Sequence, residues 1–329
     1  MSVELVERRM PQRAGRPLKV GLVLQTSIDS DGRIPPWNEI RAFAQHAEAV
    51  GFDSLWLPDH LSIDLGYLLG SSDKTRVGMW ECWSILSSLA SVTSRVELGP
   101  LVACTSFRNP ALLAKMADTV DEISGGRLIL GLGGGWNEPE YDAFGYPFDH
   151  RVSRFEEALQ IIHALLRKGS VDFRGQYYEA RNCELLPRGP RPGGPPILIG
   201  AREPRMCRLT AQYADYGNAM FIHQPESIAA ARLSMDEACA KADRDPATLQ
   251  RTAFMLIDQP GAYEGRLADQ VRQFRTGRGA PVTGTAEELA ELFWGFAREG
   301  ISHVQLWPEP GGMGAIDTLA PVLELLDRG

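Results

Sequence analysis

The sequence predicts a closed (β/α)8 barrel of the TIM type. Three observations carry that reading. Eight short apolar runs alternate with helical patterns from one end of the chain to the other. The runs are hydrophobic on both faces, as in parallel strands buried between layers, instead of alternating apolar with polar. Glycines and polar residues collect where the runs end, which is the carboxyl rim where barrel enzymes build their sites. A doubly wound sheet is the other architecture that such alternation allows.

The expected strands are Leu18–Leu24, Ser54–Leu57, Val96–Ala103, Arg127–Leu132, Pro196–Gly200, Asn218–Ile222, Thr252–Ile257 and Ser302–Trp307. Helices between them show the 3.6-residue stripe of an amphipathic face. Ile40, Phe43, Ala44, Ala47 and Val50 form one stripe, and Phe155, Leu159, Ile162 and Leu166 another. Leu289, Leu292, Phe293 and Phe296 form a third, opened by Thr285 and Glu288 at capping-box spacing. Ile316, Leu319, Leu323 and Leu326 mark the last helix. Two segments depart from the alternation. Gly169–Pro195 reads as a hairpin inserted before the fifth strand, with Val171–Phe173 and Tyr177–Glu179 around Arg174-Gly175. Asp258–Thr283, after the seventh strand, is a long polar loop of the kind used as a lid. Residues 1–17 are charged and lack an apolar core, so they read as a disordered tail ahead of a single barrel domain over 18–329.

The chain has 329 residues, 44% of them hydrophobic and 23% charged, enough for one large core. A net charge of −8 offers no basic footprint for nucleic acid. The five cysteines lack Cys-x-x-Cys spacing, which argues against a disulfide framework or a zinc site and for a reducing cytoplasm. No apolar run approaches the roughly 18 residues of a membrane span. Catalytic-serine, Walker and metal-ligand patterns are likewise missing from the sequence, so no metal is expected.

Candidate chemistry lies at the strand ends. Asp59-His60 follows the second strand, and a histidine there is placed to move a proton near neutral pH. A loop-capping His60, with Asp59 fixing its tautomer, is the structural alternative. Gly131-Leu-Gly-Gly-Gly-Trp136 lacks the sixth-position glycine of a dinucleotide fingerprint. Gly134 and Gly135 suit either close approach of a planar ligand or a tight turn. Asn137 and Glu138, just beyond, are placed to bond a ring edge or ribityl hydroxyls. Gly200-Ala201-Arg202 opens the fifth helix and offers free N–H groups and a cation to a phosphate, or an ordinary turn. Trp56, Trp80, Trp136 and Trp307 sit near strand ends as walls for a flat ring and an apolar substrate, although some are expected to be core. Arg108 is placed for an anion or a salt bridge.

These motifs, in this order, resemble those of the bacterial luciferase-like monooxygenase superfamily. The resemblance rests on Asp59-His60, Phe107-Arg-Asn-Pro110, Ser124-Gly-Gly-Arg127, Gly131–Tyr141, Pro195–Ala201 and Leu209–Asp215, and spans about Lys19 to Gly329. It implies a barrel that binds reduced flavin mononucleotide or the deazaflavin coenzyme F420. The Gly-Gly-Trp-Asn-Glu form and the Asp-His pair look most like the deazaflavin branch. There the ring packs on an often cis peptide at the end of the third strand, matching Leu101, Val102 and Ala103, and sits near the histidine matching His60. The phosphate lies near the turn matching Gly200–Arg202. Trp136 stands where the sugar-phosphate dehydrogenases of that branch carry a catalytic Glu, which counts against a sugar phosphate as substrate. The expectation is hydride transfer between F420 and a small organic substrate, in a homodimer. The alternatives are a monooxygenase using reduced flavin mononucleotide with a separate flavin reductase, and a non-catalytic flavin-binding protein.

Overall fold

Nine parallel strands close into a barrel because the third barrel strand is split in two. The computed structural model describes residues 15–27, 33–64, 66–67, 76–258, 281–309 and 311–329. The sheet order is β5-β2-β1-β13-β12-β11-β10-β7-β6. Its members are β1 (Lys19–Val23), β2 (Ser54–Leu57), β5 (Glu97–Pro100), β6 (Ala103–Cys104), β7 (Leu130–Gly133), β10 (Ile197–Gly200), β11 (Tyr216–Met220), β12 (Gln250–Asp258) and β13 (His303–Glu309). β5 and β6 are successive pieces of one strand on either side of a cis Leu101–Val102 peptide. β5 pairs with β2, and β6 pairs with β7. Leu98 N–H donates to Arg127 O and Ile129 N–H to Leu98 O, which closes the ring. Arg127 is buried and donates to the carbonyls of Ala90, Thr93, Ser124 and Val96.

The helices are α1 (Trp37–Val50), α2 (Cys82–Val92), α3 (Pro110–Ser124), α4 (Glu138–Phe144), α5 (Arg151–Lys168), α6 (Pro204–Tyr213), α7 (Ile228–Lys241), α8 (Ala286–Arg298) and α9 (Met313–Arg328). Their starts follow from sequence chemistry. Asn109 accepts from the Ala111 and Leu112 N–H groups ahead of Pro110 at the first turn of α3. The capping box of Thr285 and Glu288 forms at α8. Among the described residues, no helix is long and apolar enough to cross a membrane.

Two concentric cores result. The outer one, between sheet and helices, takes Leu22, Leu55, Leu57 and Ala103 from the strands. The inner one fills the barrel with Val23, Trp56, Leu101, Ile129, Leu198, Phe254 and Leu256. Near the amino ends of the strands the interior turns polar. Ser54 Oγ lies 2.7 Å from His303 Nε2, and Asn218 Nδ2 donates to Thr252 Oγ1 (2.7 Å) and Gln305 Oε1 (2.9 Å).

Several expectations need correction. Arg16 is not tail. It is 3% exposed, donates to both Asp327 carboxylate oxygens, and reaches Asp53 Oδ2 and Gly51 O. Residues 1–14 and most of the loop after the seventh strand, 259–280, lie outside the described residues. The inserted hairpin is present as β8 (Ser170–Arg174) with β9 (Glu179–Glu184), with a wider turn than expected. A second hairpin, β3 (Ser62–Asp64) with β4 (Arg76–Gly78), follows the second barrel strand.

Candidate active site

The carboxyl rim brings His60 against residues 76 or more positions away. The loop after β2 carries Asp59 and His60, and the loop after β7 leads through Trp136 and Asn137 into α4. His60 Nδ1 lies 2.9 Å from Glu140 Oε2, and its ring meets Trp136 edge-on with centroids 5.3 Å apart. The His60 side chain is 19% exposed, and no partner is present for its Nε2 among the described residues.

Glu140, which sequence reasoning missed, is 1% exposed. Oε1 accepts the Leu61 and Ser62 N–H groups, and Oε2 faces His60 Nδ1 and accepts from Asn137 Nδ2 at 3.2 Å. Burial pushes this carboxyl up, but His60 and the backbone donors outweigh it and hold it below the ordinary value. Asn137 Nδ2 also donates to Ser62 O (2.9 Å), while its Oδ1 is buried without a partner. Glu138 is exposed. Glu140 sits in the first turn of a short helix, three residues after Asn137, and nothing in the sequence distinguishes it from other acidic residues early in a helix.

Asp59 does not face a ligand, nor does it fix the His60 tautomer. Arg108 grips it with both nitrogens (2.6 and 2.9 Å), and Cys104 N–H donates to it at 2.9 Å. Arg108 also bonds Glu81 Oε1 (2.7 Å), the residue that caps α2. Burial pushes the Asp59 carboxyl up while Arg108 pulls it back. Burial alone would lower the Arg108 guanidinium, but the two carboxylates raise it. The cluster staples three rim loops together.

The glycine turn is held from below. Tyr141 O–H donates to Gly134 O (3.0 Å), and its oxygen lies 2.9 Å from Cys104 Sγ. Gly135 has φ +73°, and a Cβ there would lie 2.0 Å from Tyr141 Oη. The turn alone therefore explains glycine at 135. Burial raises the Cys104 thiol to about 12, which removes it as a nucleophile near neutral pH.

Trp56 is not a pocket wall. It is 0% exposed inside the barrel, and its indole N–H donates to Ser54 Oγ at 2.7 Å. Ala103 likewise turns its side chain into the outer core, while Leu101 and the partly buried Val102 face the inner one. Trp80 is 47% exposed and donates to Pro35 O. Trp307 packs on Phe254 in the interior, with its indole nitrogen buried and unpaired. The Ala201 N–H is used by Asn218 O, which takes it out of the expected anion site. Gly200 and exposed Arg202 remain beside the start of α6, whose N-cap residue Glu203 makes no side-chain cap.

Buried polar atoms without partners are rare in folded proteins, so those along the carboxyl rim mark places for a ligand or ordered water. Thr26 Oγ1, Asn137 Oδ1, His223 Nε2 and Trp307 Nε1 are such atoms, and each lies at or just past the carboxyl end of a different barrel strand. A Cβ at Gly200 would meet nothing within 4 Å, so the rim is open beside the fifth strand. Unpaired donors and acceptors together with open backbone suit a ligand with polar edges.

The phthiodiolone/phenolphthiodiolone dimycocerosates ketoreductase of Mycobacterium tuberculosis is 30% identical over 284 residues, which is 82% of this chain and 72% of the relative. The pyrimidine monooxygenase RutA of Stutzerimonas stutzeri is 33% identical over 236 residues, 68% of this chain and 61% of the relative. An F420-dependent secondary alcohol dehydrogenase, solved with an F420-acetone adduct, shares the fold with a TM-score of 0.77 at 18% identity, over 94% of this chain and 99% of that one. The model of the luciferase-like monooxygenase family matches residues 18–301, and the chain belongs to that family of oxidoreductases and monooxygenases.

Proposed function

We propose that the protein transfers hydride between the deazaflavin coenzyme F420 and a small carbonyl or alcohol, with His60 handling the proton. The observation that carries the reading is the His60 ring, fixed at Nδ1, flanked by Trp136 and unpaired at Nε2 on the carboxyl rim. When bound, the deazaflavin supplies a carbon that accepts or releases hydride. Val102 and the backbone of 101–103 would support its ring, Asn137 Oδ1 its polar edge or ribityl hydroxyls, and Gly200 with Arg202 its phosphate. Trp136 and Trp307 would shape the substrate side. Positioning would supply much of the rate, as for cofactor enzymes generally. The ketoreductase relative supports a carbonyl substrate, and the alcohol dehydrogenase of the same fold is compatible with it.

A second reading is favoured by the pyrimidine monooxygenase relative: a monooxygenase using reduced flavin mononucleotide, oxygen and a separate reductase. Anaerobic turnover separates the two. Reduced F420 should be reoxidised only when a carbonyl substrate is added. An oxygenated product formed from reduced flavin mononucleotide only once oxygen is admitted, with no carbonyl-dependent reoxidation of reduced F420, would establish the second reading instead.

A further inference from the structure

We infer that Glu140 is the positioning residue of this site, holding the Nδ1–H of His60 so that the bare Nε2 faces the substrate. The inference rests on the reading that His60 handles the proton. A carboxylate can only accept, so the nitrogen 2.9 Å from Glu140 Oε2 must carry the hydrogen. In the neutral ring the lone pair then sits on Nε2. The other contacts of Glu140 leave no freedom to reverse this. Leu61 N–H and Ser62 N–H occupy Oε1, and the Asn137 amide donates to Oε2 beside His60.

The arrangement gives the proton a defined path. In the oxidative direction, Nε2 would take the substrate hydroxyl proton; the deazaflavin, when bound, would supply the acceptor for the hydride from the neighbouring C–H as the C–O bond becomes C=O. Glu140 then faces a positive imidazolium, and the pair is neutral overall. In the reductive direction Nε2–H returns the proton to the oxygen as hydride arrives at carbon. A carboxylate that orients histidine through the far ring nitrogen is an arrangement known to be sensitive to amide replacement, because the wrong tautomer results.

A purely structural Glu140 would need only the two backbone N–H bonds that tie β3 to α4. The His60 contact uses the other oxygen, so the two roles are separable by experiment. Full-length wild-type protein labelled with 15N-histidine is recorded at mildly alkaline pH, and His60 is assigned by the signal lost in His60→Asn. The expected result is an Nδ1–H tautomer. Glu140→Gln presents its NH2 to Nδ1 and should convert the ring to Nε2–H, lowering kcat about a hundredfold with KM changed by less than about threefold. An Nε2–H tautomer in the wild type overturns the inference without any variant that must fold. An unchanged tautomer and kcat in Glu140→Gln overturns it too. The tautomer needs no substrate, so the claims separate: full turnover by His60→Asn beside the expected tautomer would end the proton-handling reading and leave Glu140's hold on the ring standing.

Discussion

His60 Nδ1 and Glu140 Oε2 lie 2.9 Å apart, although the two residues are 80 positions apart in the chain and belong to different barrel units. The contact locks the β2 loop to α4 and leaves one ring nitrogen unpaired on the rim. His60→Ala should therefore lower turnover at least about tenfold, a floor set below the roughly hundredfold or more that general acid–base help typically supplies. Its far-ultraviolet circular dichroism should match the wild type, since the ring adds little to the core.

Arg108 and Asp59 form a buried pair, with side-chain exposures of 10% and 0%. Removing one partner strands the other charge in the interior. Arg108→Ala should cost about 3–5 kcal/mol of stability, measured by chemical denaturation. Arg108→Lys should recover only part of it, because a lysine cannot make both bonds to the carboxylate.

Gly135→Ala places a methyl on a residue with φ +73° and against Tyr141 Oη. The turn must shift, and Trp136 moves with it away from His60. The expected result is weaker cofactor binding together with a melting temperature lower by several degrees, as a loss on the order of 2 kcal/mol produces. Pairing it with Tyr141→Phe should leave the damage largely in place, because the ring and the positive φ remain.

His303 sets a pH limit on stability. It is 1% exposed, and burial, aided by Lys19, holds its imidazole well below the ordinary value. An unfolded histidine titrates near about 6.5. Below that, the unfolded chain binds a proton that the folded chain refuses, so stability falls as pH drops, by up to about 1.4 kcal/mol per unit. His223 and His163 are also lowered by burial and act in the same direction. His303→Asn should be less stable near neutrality and should close part of the gap to the wild type as pH falls to about 5. A gap that stays constant would contradict this account of His303.

How much the sequence shows depends on the physics of each element. The β2 strand was readable to the residue, because four apolar or small residues between turn signals admit few alternatives. Which of its faces pointed into the barrel was not. Ser54 and Trp56 share the inner face, but a strand buried on both sides has no polar alternation to mark it. The sequence thus suggests Trp56 as a pocket wall, whereas it packs in the barrel core. The split of the third strand between Pro100 and Ala103 depends on pairing with two different neighbours, which one sequence cannot show. His60 stood out as a polar residue at a strand end, whereas Glu140 looked like any acidic residue early in a helix. Its importance comes from three donors of the β2 loop, His60, Leu61 and Ser62, gathered by tertiary contact, with the local Asn137 amide beside them. Asp59 stands beside His60 in the sequence as a candidate ligand contact, but its carboxylate is engaged by Arg108 and the Cys104 N–H.

The proposed chemistry requires that the rim bind a deazaflavin. Titration of the purified protein with F420 and flavin mononucleotide, each oxidised and reduced and followed by absorbance and fluorescence, tests it most directly. Saturable, tight binding of F420 that weakens when Arg202 is replaced by Ala is the expected result. Tight binding of reduced flavin mononucleotide, with no saturable response to F420 in either state, would contradict it.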